Sequence, residues 1–161
     1  MKLTNEQFTE AAFIFEKDNG NSHSDFEKEI IAASNLTNYK PTELEKIIVN
    51  GLNSGIYKKE DERVSGYWSL SKIGNRNLID EYKKWLRTEL ENGNGIAVFQ
   101  ILIGLDRLDE PAFHKNRTGR GVDETDLNIR DAKKYLNKKK KQCTTPVTVA
   151  QSHNFKKNNS K

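Results

Sequence analysis

The sequence predicts a mainly α-helical protein with one small β-hairpin, and three observations support this prediction. Apolar residues recur at helical spacing in several segments, most of which begin with a residue that commonly caps a helix. Residues 56–70 change to short runs of aromatic and branched residues, which favour strands. The last residues are rich in lysine and polar side chains, which predicts a disordered basic tail.

Three short helices are predicted first, each with a recognisable start. Thr4 with Gln7 and Ser24 with Glu27 form two capping boxes, and Pro41 suits the first turn of a third helix. The apolar residues expected to face the core are Phe8, Ala11, Ala12 and Phe15; Phe26, Ile30, Ala33 and Leu36; and Leu44, Ile47, Ile48, Gly51 and Leu52. Short helices joined by short turns predict a helix-turn-helix core.

The hairpin is predicted from residues 56–59 and 64–70, which are short apolar runs separated by charged residues. Ser71 is then expected to cap a fourth helix. Its apolar residues are Leu78, Tyr82, Trp85, Leu86 and Leu90. The Asn and Gly cluster at residues 92–95 ends that helix, so a first domain is predicted over residues 4–92.

A helical extension is predicted over residues 95–140, followed by a disordered basic tail over residues 143–161. Residues 96–108 are almost continuously apolar, which is typical of a buried helix. Asp123 or Thr125 is expected to cap the last helix. Its apolar residues are Leu127, Ala132, Tyr135 and Leu136.

Positive charge is concentrated at the C-terminal end. The net charge is +4, yet residues 1–90 carry 13 Lys and Arg against 15 Asp and Glu, while residues 115–161 carry 13 against 4. A basic segment attached to a near-neutral domain is common in polyanion-binding proteins, because each neutralised phosphate releases a counterion. The alternative is a solvated lysine-rich tail that keeps the protein soluble.

Several classes of protein are not indicated. The single cysteine, Cys143, excludes an intrachain disulfide, and no Cys and His cluster has zinc-site spacing. The longest apolar run, residues 96–105, is about half the length that spans a bilayer, and no signal peptide is recognisable. The sequence therefore predicts a cytoplasmic protein without membrane span, metal or cofactor. No motif of nucleophilic or paired-carboxylate catalysis predicts an enzyme.

The order of helix, turn, hairpin and helix over residues 41–74 resembles winged helix-turn-helix transcription regulators of the MarR and PadR type. The residues that carry the resemblance are Leu44, Ile48, Gly55, Ile56, Tyr67, Leu70, Ser71 and Gly74. They follow the family's recognition helix, Gly-Leu-Ile strand, wing and Tyr-x-Leu-Thr-x-x-Gly step, with serine where threonine is common. The resemblance covers about residues 4–90 and concerns fold more than target.

The resemblance implies a dimeric regulator that acts by occupying an operator in double-stranded DNA. The recognition helix would enter a major groove, and the wing would contact the backbone. The residues expected to bind DNA in these elements are Lys40, Thr42, Lys46, Asn50, Lys58, Lys59 and Arg63. Residues 96–105 would supply the dimer interface through Ile96, Phe99, Leu102, Ile103 and Leu105, or would instead pack within their own chain.

A second group of cations lies in a glycine-containing loop over residues 113–121. Lys115, Arg117 and Arg120 are expected to approach phosphates closely; the alternative is a solvated connection.

Two other functions remain open. Glu43 and Glu45 on the recognition helix favour a protein-interaction module, such as an inhibitor, immunity or anti-defence factor. His114 in the basic loop would suit a nuclease or an enzyme accessory subunit, although no second histidine or metal-binding carboxylate set accompanies it. The operator, any effector or protein partner, and the biological process are not indicated by the sequence.

Overall fold

The computed structural model describes residues 1–142, with side chains described for residues 1–138. Seven α-helices and no strand are present in this part of the chain. The helices are α1 Asn5–Asp18, α2 Asp25–Ala33, α3 Pro41–Ser54, α4 Glu60–Leu70, α5 Ile79–Glu91, α6 Gly95–Arg107 and α7 Thr125–Gln142. Two 3₁₀ helices, Asn35–Asn38 and Arg76–Leu78, precede α3 and α5. The predicted tail over residues 143–161 lies outside the described residues.

The first three helices begin where their local signals predict. The Thr4 hydroxyl accepts from the Gln7 N–H at 3.2 Å, and the Gln7 side chain accepts from the Thr4 N–H at 3.0 Å. Ser24 forms the second capping box with Glu27, and Pro41 is the first residue of α3. These predictions are confirmed because they depend on hydrogen bonds within one turn.

The predicted β-hairpin is wrong, because residues 60–70 form helix α4. The Glu62 side chain accepts from the backbone N–H of Lys59, and the first turn is acidic, which favours a helix N-terminus. Tyr67 and Leu70 are buried three residues apart, on one side of the helix. Aromatic and branched residues suit a buried helix as well as a strand. Without a hairpin there is no wing, and a winged-helix fold is not supported.

Two expectations about individual helices are also wrong. Ser71 is the C-cap of α4, and the next α-helix begins only at Ile79. In α2 the buried residue is Ile31, whereas Phe26, expected to face the core, is 70% exposed. Hydrophobic spacing identifies residues that share a face, but only contact with other helices decides which face is covered.

Helix α6 is central to the packing and contacts α4, α5 and α7. Gly104 permits a close approach, since a Cβ there would lie 2.8 Å from the Tyr82 ring. One cluster of buried residues extends from Leu3 to Tyr135, and so crosses the domain boundary predicted at residue 92.

The segment expected to form a dimer interface is largely covered within its own chain. Leu102 and Leu105 are fully buried, and Phe99 and Ile103 are partly buried against the core. Ile96, which is 53% exposed, is the large apolar residue that this segment leaves at the surface. Homodimerisation through residues 96–105 stays a prediction. The exposed part of this segment offers little apolar area for a dimer interface.

Candidate nucleic-acid interface

The exposed side of α3 carries three of the residues expected to bind DNA. Thr42, Lys46 and Asn50 follow one another at intervals of four residues and are all exposed, so they lie on the same side of the helix. Lys40, immediately before the helix, is exposed as well. These four side chains are available to a ligand.

The two acidic residues that argue against DNA at α3 are held by the chain's own hydrogen bonds. Glu43 accepts from the backbone N–H of Lys40 at 2.8 Å. Glu45 accepts from the side-chain amide of Asn75 at 2.9 and 3.0 Å. Both carboxylates have partners within the fold, but these donors are neutral, so two negative charges remain on this helix beside Lys46.

Helix α5 joins the exposed side of α3 to that of α7. Asn53 accepts from the indole N–H of Trp85 at 2.8 Å and lies 3.5 Å from the Lys84 ammonium group. One turn later on α5, Arg87 lines a groove of about 270 Å³ together with Lys133 of α7. We call these exposed residues the α3–α5–α7 surface, defined by Thr42, Lys46, Asn50, Lys84, Arg87 and Lys133.

The charge of the α3–α5–α7 surface is mixed at α5 and more positive at α7. Glu81 lies 3.7 Å from Lys84, and Glu91 lines the same groove as Arg87. On α7, Arg130, Lys133, Lys134 and Lys138 are exposed. Lys133 lines this groove, whereas Lys134 and Lys138 line a different pocket together with residues 111–114. Asp131, between them in sequence, is buried and paired with two arginines, so it contributes little negative charge at the surface.

Arg63, assigned to the wing, belongs to a buried ion pair. Its guanidinium donates to Glu89 at 2.6 and 3.1 Å and to the backbone carbonyl of Lys58 at 2.9 Å. Glu89 also accepts from the Tyr67 hydroxyl and the Asn94 amide. Burial acts to raise the pKa of Glu89, but these hydrogen bonds outweigh it and the pKa lies below its ordinary value. Arg63 is therefore committed to the fold.

Arg117 fixes the loop before α7 and is likewise committed to the fold. Its side chain is 4% exposed and donates to Glu124 at 2.6 Å, to Asn128 at 2.9 Å and to Asp131 at 3.3 Å. Asn128 in turn donates to the backbone carbonyl of Gly121 at 3.0 Å. One buried cation thus ties the middle of the loop to the first two turns of α7.

Arg120 is held at the surface of the same loop. It pairs with Asp106 of α6 and lies over the Phe113 ring at 4.8 Å from its centroid. Besides Lys40 and Arg120, the predicted DNA-binding residues that are exposed in loops are Lys58, Lys59 and Lys115.

His114, the residue considered for a nuclease, lines a small pocket with Asp131 and Lys134. Its Nδ1 accepts from the backbone N–H of Asn116 at 3.3 Å, which is a contact within one turn. Among the residues whose side chains are described, no group of three or more His, Cys, Asp or Glu could hold a metal ion. Neither observation supports the nuclease alternative.

Acidification is expected to loosen the attachment of α7. The Gly121 N–H and the Arg117 guanidinium lower the pKa of Glu124 from 4.5. Burial acts to raise the pKa of Asp131, but hydrogen bonds, first that from the His114 N–H, lower it from 3.8. A carboxyl group with a lowered folded pKa stabilises the fold above its unfolded pKa. That stabilisation is lost as the pH falls below about 4.5, through the folded values.

Hydrogen exchange of α7 peptides over a series of acidic pH values measures this loss. Arg117→Ala is the control. Without the guanidinium, the pKa values of Glu124 and Asp131 are lowered less, so the exchange of α7 peptides should depend less on pH. Equal pH dependence in both proteins would contradict the linkage.

Comparison of the chain with protein-family models, with curated proteins and with solved structures finds no match. No helix in the described part of the chain is long and apolar enough to cross a membrane. The resemblance to winged-helix regulators stays a sequence-based prediction, so the function is argued from the surface itself.

Proposed function

We propose that this protein binds double-stranded DNA through the α3–α5–α7 surface, as a regulator that acts by occupying its site. The contact of Asn53 with Trp85 and Lys84 carries the proposal, because it joins the polar side of α3 to the cations of α5. Lysine and arginine side chains bind phosphates, while Thr and Asn side chains on a helix reach base edges. Residues 139–161 contain six lysines and no acidic residue, which adds salt-sensitive attraction.

The surface favours a duplex over a single strand. Proteins that bind single strands commonly stack the bases on exposed aromatic side chains. The aromatic residues of α5 and α7 are Tyr82, Trp85 and Tyr135, none more than 5% exposed, and α3 contains no aromatic residue. A helix face of cations and amides without a stacking platform suits contacts to phosphates and groove edges better than stacking on unpaired bases.

Replacing Lys84 and Lys133 with alanine is expected to weaken binding to all duplexes alike. The slope of log K against log salt concentration is negative, and each lost phosphate contact makes it about 0.9 less negative. Replacing Lys46 and Asn50 is expected instead to reduce discrimination between duplex sequences, since these residues lie on the helix face. Fluorescence anisotropy with labelled duplex and single-stranded DNA over a salt series measures both effects.

The matched control is the double variant Lys2→Ala and Lys28→Ala, which removes the same charge from exposed positions. The pockets that these two lysines line contain no residue of α3, α5 or α7. Equal loss of affinity in the two double variants would show a net-charge effect and contradict the proposed surface. Absence of duplex binding by the full chain at low salt would contradict the function and favour the protein-interaction alternative.

A further inference from the structure

We propose that a second cleft, formed by the end of α1, the following loop and α2, binds a small phosphate monoester. The cleft has a volume of about 480 Å³, a size that commonly holds small molecules. It is lined by Lys17, Asn21, Ser22, His23, Lys28, Ile31 and Ala32. None of these residues belongs to the α3–α5–α7 surface, so the inference is independent of the DNA-binding proposal.

His23 is the residue that points to a ligand. Its side chain is 6% exposed and its ring packs edge-on against Phe13, with 6.2 Å between centroids. Its Nε2 has no hydrogen-bond partner among the described residues, and its Nδ1 lies 3.7 Å from Glu27, beyond a normal hydrogen bond. A buried nitrogen without a partner costs free energy, which a polar atom of a bound ligand recovers.

The charged residues that line the cleft favour an anion. Lys17 is exposed, and Lys28 contacts Asp25 at 2.8 Å in a pair whose side chains are 63% and 94% exposed. Such a surface pair is weak, so Lys28 is free to turn to a ligand. Glu27, the carboxylate beside His23, already accepts from the Ser24 N–H and hydroxyl at 2.8 Å.

The donors around the cleft suit phosphate better than carboxylate. Two ammonium groups, an imidazole, a hydroxyl and an amide line it, and a phosphate monoester offers three terminal oxygens to them where a carboxylate offers two. Ile31 and Ala32 add an apolar wall, which fits a short alkyl substituent. The ligand class is therefore a phosphate monoester with a small apolar part.

Titration of the full chain with n-butyl phosphate, followed by NMR of the imidazole C–H resonances, tests this site. The chain has three histidines, so His114 and His153 are internal references for His23. The His23 resonances are expected to shift. Butyl phosphate is expected to bind at least about tenfold more tightly than inorganic phosphate, which lacks the apolar part, and than pentanoate, which lacks the third oxygen.

The double variant Lys17→Ala and Lys28→Ala is expected to raise the Kd of butyl phosphate at least about tenfold. Both lysines are exposed, so the variant should fold, and far-UV circular dichroism checks this. The variant Lys84→Ala and Lys133→Ala is the control and should bind like the unaltered protein. Equal affinity for pentanoate would overturn the ligand class. Equal shifts of all histidines, no shift at all, or unchanged affinity in the lysine variant would overturn the site.

Discussion

Arg63→Ala is expected to lower the free energy of unfolding by about 3–5 kcal/mol, because it leaves a buried carboxylate without its countercharge. Glu89 is 1% exposed, and Arg63 donates two hydrogen bonds to it. The donors that remain, Tyr67 and Asn94, are neutral and cannot balance the charge. Urea unfolding followed by far-UV circular dichroism measures the loss.

Lys59→Ala is the matched control, since Lys59 is an exposed cation just before the same helix. Its effect is expected to stay within about 0.5 kcal/mol. Arg63→Lys, which keeps the charge but not the two-pronged geometry, is expected to fall between the two. If Arg63→Ala unfolded at the same urea concentration as Lys59→Ala, the buried pair would be refuted and Arg63 would again be a candidate for DNA contact.

Arg117→Ala is expected to cost about 3 kcal/mol, with the loss concentrated at α7. Asp131, whose side chain is fully buried, would lose one of its two arginine partners, while Arg130 would remain beside it. Because the Arg130–Asp131 pair remains, the expected loss of unfolding free energy is at the low end of the range for a broken buried ion pair. Hydrogen exchange measured by mass spectrometry is expected to show faster exchange in α7 peptides, with α1 and α3 still protected.

Lys115→Ala is the control for this second variant, because Lys115 is an exposed cation of the same loop. Its exchange pattern should match that of the unaltered protein. Uniformly faster exchange in Arg117→Ala would show that α7 unfolds only with the whole core, and an unchanged pattern would show that Arg117 does not hold the helix.

The difference between the predicted hairpin and the observed helix α4 has a specific physical origin. Tyr67 and Leu70 fit a strand by residue type, and the spacing that places them on one helix face is too short to be diagnostic. The acidic residues Glu60, Asp61 and Glu62 were a local helix signal, because carboxylates stabilise a helix N-terminus. Burial of the Tyr67 hydroxyl against Glu89 then depends on a contact 22 residues away.

The residues predicted to bind DNA fall into an exposed group and a buried group, and contacts between distant residues again explain the difference. Lysines 46, 58, 59 and 115 remain exposed, whereas Arg63 and Arg117 form buried ion pairs with carboxylates distant in sequence. The candidate residues that sequence reasoning missed, Lys84, Arg87 and Lys133, sit on polar helix faces. In the sequence, these residues are recognisable only as polar positions of amphipathic helices. That pattern does not indicate that they lie near α3.

By itself, the sequence determined where the first three helices begin, through capping boxes and a proline whose partners lie within one turn. It also determined that positive charge collects toward the C-terminus. Tertiary structure decided that Tyr67 and Leu70 are buried on one helix face, that α6 is buried within one chain and which cations stay exposed. These outcomes depend on burial and charge pairing between residues far apart in sequence, and local propensity carries no information about such contacts.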